Sequence, residues 1–206
     1  MSEKPEADNL ALWRKVEKTD PAFTKEANNG RFKFTNVDPA YQCRQATELW
    51  GPYGDKWGLY NLDFTTLASD PPSLMLQADF AYPGGIEQCS FPIAVDMKLK
   101  AGDDICKKLV TSAISKALSR LGFSADVYMG KFDDAAYVSD QKIRSSEQKE
   151  FMTKALAQIK KATTEADLDK CSSRVNQLIA GDTLDEANWR ELLRAIAERR
   201  EAILTV

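Results

Sequence analysis

Three sets of residues in this chain have the types and spacing to do chemistry. The first is a stretch without acids. Between Asp104 and Asp126 the charged residues are Lys107, Lys108, Lys116 and Arg120. Lys116 and Arg120 are four apart, so on a helix they share one row. Thr111, Ser112, Ser115 and Ser119 fill the rest of the polar face. Cations with small hydroxyl donors suit a polyphosphate backbone, although the same residues also suit a solvated helix face. The second set is "FTKEANNGRFKF", where Lys25, Arg31 and Lys33 outnumber Glu26 and flank Phe23, Phe32 and Phe34. Cations interleaved with aromatics fit a phosphate track with rings near bases; Phe32 and Phe34 at period two equally fit a core. The third set is Asp79 with Asp96-x-Lys98. An acid followed by Asp-x-Lys on a neighbouring strand is how metal-dependent nucleases hold Mg²⁺ and steady the attacking water. The pattern is only three residues long, and alternation puts these charges on the face opposite the apolar one.

Other chemistries are excluded by what the sequence lacks. There is no histidine, so Ser–His and Cys–His nucleophiles are ruled out. No GxxxxGK[ST] loop occurs, so no ATP is bound in the P-loop manner. Cys43, Cys89, Cys106 and Cys171 form no CxxC pair and read as free thiols of a reducing compartment. No membrane span or signal peptide is expected, and the chain should remain in the cytoplasm. Net charge is -3 and the sequence pI about 5.2. Affinity for a polyanion must therefore come from local clustering.

The elements that would position these residues follow from periodicity. Residues 1–10 read as disordered, followed by a short helix from Leu10 to Glu17. Asn29-Gly30 marks a hairpin turn, and "DPAYQCRQATELWG" a helix with Asp38 as N-cap, Pro39 first and Gly51 as its end. Trp50, Tyr53 and Trp57 fit either a stacking platform or a core, and packing is the reading for the two tryptophans. Three alternating segments predict an antiparallel meander with one buried face: Tyr60, Leu62 and Phe64; Leu74, Leu76, Ala78 and Phe80; then Phe91, Ile93, Val95, Met97 and Leu99. Pro92 assigns the third strand to an edge or a bulge. A helix over about Asp103–Leu121 carries Leu109, Val110, Ala113, Ile114, Ala117, Leu118 and Leu121 on the arc that would cover the sheet, and Gly122 ends it. The fold class is α+β, with a hairpin and helix before a β-β-β-α layer and a small C-terminal all-α bundle. The expected division is a domain over 11–140, a flexible linker over 141–147 and a helical domain over 148–206. The last helix opens with a capping box at Thr183 and Glu186.

This order of elements, with "ATELWGPYGDKWG", "LVTSAISKALSRLG" and "FSADVYMGKFDD", resembles the Rad-fifty-two superfamily of single-strand annealing proteins, in particular its phage recombinase branch (Sak and Erf types). The resemblance covers about residues 12–135. It implies ATP-independent binding of single-stranded DNA and annealing of complementary strands to a duplex. It also implies a homo-oligomeric ring or helical filament with a shared basic groove, in the cytoplasm of a bacterial host. No catalytic residue, cofactor or metal is expected, and no membrane. On the long helix one position of the family's basic pair falls on Lys116, with Ser115 beside it and Arg120 one turn on. Pre-helix basic positions correspond to Lys25 and Lys33. The C-terminal helices are similar in kind to tails that dock onto single-strand-binding protein. A metal-dependent nuclease, or a DNA-binding module without annealing, are the alternatives.

Overall fold

The computed structural model describes residues 8–28, 30, 32–85, 87–100, 102, 104–180 and 186–204. The chain divides into two compact units, Met1–Asp134 and Ala135–Val206.

The first unit opens with α1 (Ala11–Val16), preceded by an ion pair between Asp8 and Arg14. Residues 1–7 of the expected disordered terminus lie outside the described residues. After a 3-10 turn at Pro21–Phe23, β1 (Thr24–Asn28) and β2 (Lys33–Val37) pair antiparallel. Asn29 of the expected turn is outside the described residues; Gly30 has the φ of +85° that such a turn demands. In α2 (Pro39–Trp50) the Asp38 carboxylate accepts a 2.9 Å bond from the Ala40 N–H, and Gly51 at φ +96° ends the helix. Both caps were readable in the sequence.

The sheet is a β3-β4-β5 meander of β3 (Gly58–Leu67), β4 (Ser73–Gly84) and β5 (Glu87–Lys98). Pro92 lies on an edge strand, as its missing N–H requires. Helix α3 (Ile105–Arg120) packs on β4 and β5, and α2 packs on α3. Leu76, Phe80, Ile93, Val95, Leu109, Ala113, Ala117 and Leu118 form the core between them. Trp57 is fully buried and donates its indole N–H to the Gly51 carbonyl at 2.7 Å. Trp50 sits edge-on to Phe123 at 5.2 Å. The tryptophans pack, as expected.

One strand departs from its expected face. Tyr60 pairs with Asp79 but Phe64 pairs with Leu76, because a bulge between Tyr60 and Asp63 inserts an odd step. The bulge puts Tyr60 and Phe64 on opposite faces. Leu62 is 45% and Phe64 39% exposed, so neither is core.

Beyond α3, Gly122 (φ +97°) turns the chain into the short helix α4 (Ala125–Tyr128) and a 3-10 turn at Lys131–Asp133. Trp13 packs against Gly122: a Cβ there would sit 2.7 Å from the indole ring. The Ser124 N–H donates to the Val16 carbonyl at 2.9 Å. These contacts fasten α1 to the end of α3.

The second unit comprises α5 (Ala135–Lys161), α6 (Glu165–Ala180) and α7 (Glu186–Leu204). Met152, Ile159, Leu168, Val175, Leu192 and Ile196 make its core. Arg199 donates to the Ala162 carbonyl at 2.9 Å, and Arg200 pairs with Asp169 at 2.7 Å. The linker expected over 141–147 is helical and lies inside α5. Thr183 of the capping box and Gly181 lie outside the described residues. Among the described residues no helix is long and apolar enough to cross a membrane.

Candidate nucleic-acid interface

Lys116 and Arg120 project from α3 one turn apart, both exposed. Asp104 caps this helix by accepting from the Lys107 N–H at 3.3 Å, and the buried Leu109–Ala113–Ala117 stripe fixes its rotation on the sheet. The Lys116 ammonium donates to the Ala94 carbonyl on edge strand β5 at 2.9 Å. The Arg120 guanidinium lies 5.9 Å from the centroid of the Phe91 ring, also on β5. Neither cation is ion-paired with a carboxylate among the described residues. Both are therefore held in place while keeping their charge for an anion.

The two cations line an open cleft of about 500 Å³ shared with Asn61, Gln77, Asp79, Pro92 and Ala94. The amide N–H of Asn61 donates to the Asp79 carboxylate at 2.8 Å. Asn61 has a φ of +52°, a conformation that asparagine tolerates better than most side chains. Asn61 and Gln77 were missed in the sequence. Asn61 stands where the alternation of "YNLDF" already expects a polar residue, so neither it nor Gln77 carried a signal.

The small hydroxyls of α3 do not form a row of free donors. Thr111 donates back to the Lys107 carbonyl at 2.9 Å and Ser119 to that of Lys116 at 3.0 Å. Such back-bonding competes with outside partners. The Ser115 hydroxyl is buried with no hydrogen-bond partner among the described residues.

The hairpin cations fall elsewhere. Register pairs Lys25 with Asn36 and Lys33 with Asn28, so the two lysines sit on opposite faces of the two-stranded ribbon. Each is exposed, but they do not form one track. Arg31 lies outside the described residues. Phe34 is 40% and Phe32 64% exposed, so these rings are not core. Strand β2 packs beside α4 and the Lys131–Asp133 turn.

The nuclease arrangement is not formed. Asp79 pairs with Pro92, whereas Asp96 pairs with Met75, four residues along β4. That offset is about 13 Å, too far for two carboxylates to share one Mg²⁺. Among the described residues no group of three or more acidic or cysteine side chains is placed to hold a metal ion.

Comparison with protein-family models, with curated proteins and with solved structures returns no match for this chain.

Proposed function

We propose that this chain binds single-stranded DNA and anneals complementary strands without ATP, as a homo-oligomer of the Rad-fifty-two superfamily, phage recombinase type. One observation carries the reading: Lys116 and Arg120 are anchored to one strand, unpaired with acid, and open onto one cleft. Neutralising a phosphate backbone is what such a pair does best. An acidic chain then needs only a few cations per subunit, because assembly repeats them along the strand. The exposed Leu62 and Phe64 on edge strand β3 supply an apolar surface for that assembly. Lys25 and Lys33 would add contacts from separate sides of the hairpin, and the C-terminal helices would serve a partner such as single-strand-binding protein.

The decisive experiment mixes complementary oligonucleotides with the protein, without nucleotide, and follows pairing by fluorescence. Faster pairing than in buffer, lost with K116A/R120A, is the expected result. Binding without faster pairing would leave a DNA-binding module only. No binding at low salt would remove the reading.

A further inference from the structure

Asp79 is an acceptor in a cleft whose cations suit a phosphate: it lines the same opening as Lys116 and Arg120. It is also held in place. The bulge between Tyr60 and Asp63 re-aims the β3 chain, and Asn61, at φ +52°, donates to one Asp79 oxygen at 2.8 Å. The other Asp79 oxygen accepts nothing among the described residues. The Ala94 carbonyl in the same cleft is already taken by the Lys116 ammonium at 2.9 Å. Gln77, opposite Ala94, is exposed with its amide unpartnered among the described residues. A fixed, charged acceptor therefore stands beside whatever part of a strand the two cations hold.

We infer that Asp79, positioned by Asn61, accepts a hydrogen bond from a ribose 2′-hydroxyl, so that the cleft takes an RNA strand and holds it more tightly than DNA. This rests on the nucleic-acid reading above, in which the bases stay outside the cleft, free to pair. Groups inside it then meet sugars and phosphates alone. A deoxyribose-phosphate backbone offers acceptors but no donor, so beside DNA the Asp79 charge is unmatched. In RNA every nucleotide adds one donor, the 2′-hydroxyl, next to its own 3′-phosphate. Two cations on the phosphate and a carboxylate on the neighbouring hydroxyl match that unit. A hydrogen bond to an ionised acceptor is also stronger than one between neutral groups. The contact uses no base edge, so the preference is independent of sequence and leaves annealing open. The substrate class widens accordingly, from two DNA strands to RNA pairing with DNA.

The test is fluorescence anisotropy with the full chain and labelled single strands of one mixed sequence, made as DNA, RNA and 2′-fluoro RNA. The fluoro strand keeps the ribose-like sugar but lacks the donor. A second mixed sequence repeats the set. The wild type should bind RNA about fivefold or more tighter than 2′-fluoro RNA or DNA, in both sequences. Asp79→Ala should erase the gap between RNA and 2′-fluoro RNA while all three strands still bind. Asn61→Gly, which keeps the backbone conformation but frees Asp79, should shrink the gap and leave DNA binding unchanged. Gln77→Ala should leave the gap in place. Equal binding of RNA and 2′-fluoro RNA by the wild type would overturn the inference while leaving DNA binding intact. So would a gap that survives Asp79→Ala, including an equal gain by all three strands, which would make Asp79 a repulsive charge only. A gap confined to one of the two sequences would put the donor on a base and overturn it too. If no oligonucleotide binds, the nucleic-acid reading itself falls, and this inference with it.

Discussion

Thr19 and Asp126, 107 positions apart, meet through two hydrogen bonds. The Thr19 N–H donates to one carboxylate oxygen at 2.9 Å and its hydroxyl to the other at 2.6 Å. Asp126 is 1% exposed, and it also accepts from the Val127 N–H at 2.9 Å. A buried carboxylate is tolerated only when it is bonded this fully. Thr19→Val should therefore cost about 1–3 kcal/mol of unfolding free energy by urea titration, and Thr19→Ser should restore most of it. A loss under about 0.5 kcal/mol would place the pair among ordinary surface contacts.

Gly122 meets two constraints at once, a left-handed φ and an indole ring 2.7 Å from where a Cβ would be. Gly122→Ala should lower stability by about 2 kcal/mol or more. Because the ring is half of the problem, Gly122→Ala combined with Trp13→Leu should cost less than the sum of the two single changes.

Burial, followed by the nearby Asp38 charge, pushes the Cys43 thiol above its ordinary value of 9.0. Burial, with the adjacent Cys89, likewise raises Tyr82 above 10.0. A raised acid favours the neutral form in the fold. Its contribution is therefore complete below the unfolded value and lost as pH rises past it. Thermal midpoints should hold steady up to pH 9 and then fall, and Cys43→Ala should remove the earlier part of the decline. With a thiol reagent near neutral pH, the exposed Cys106 should react well before Cys43.

The separate placement of the basic residues predicts how their losses combine. Lys116→Ala and Arg120→Ala each should reduce the salt slope of single-strand binding by about 1. Together they should be non-additive in free energy, since they share one cleft. Lys25→Ala and Lys33→Ala, on opposite faces of the hairpin, should combine additively. Competition titrations across a salt series measure both.

What could be read from the sequence was local. The caps of α2 at Asp38 and Gly51, the apolar arc of α3 and the edge position of Pro92 each depend on residues within one element. The C-terminal three-helix unit was legible for the same reason. What could not be read depended on pairing or on length. The Tyr60–Phe64 face failed because one bulge changes the parity of a whole strand. The segment 141–147 has the serines and charges of a linker, yet nothing in 135–161 is glycine or proline, and Gln, Lys, Arg and Glu propagate a helix readily. The cleft brings together Asn61, Asp79 and Lys116 from three elements, a meeting that only strand register and helix rotation decide. Lys25 and Lys33 read as one cluster because they flank one turn in the sequence, whereas the faces they occupy are set by the pairing across the ribbon.

Helix α3 packs chiefly on β4 and β5, and Leu62 and Phe64 of β3 remain exposed. Water consequently wets the strip around Leu62 and Phe64, side chains whose solvation is unfavourable. How crowded solutions of this chain behave is then governed by that strip more than by a net charge of -3. Ammonium sulfate, which strengthens apolar contact, should raise light scattering sharply, and replacing both side chains with threonine should abolish the rise.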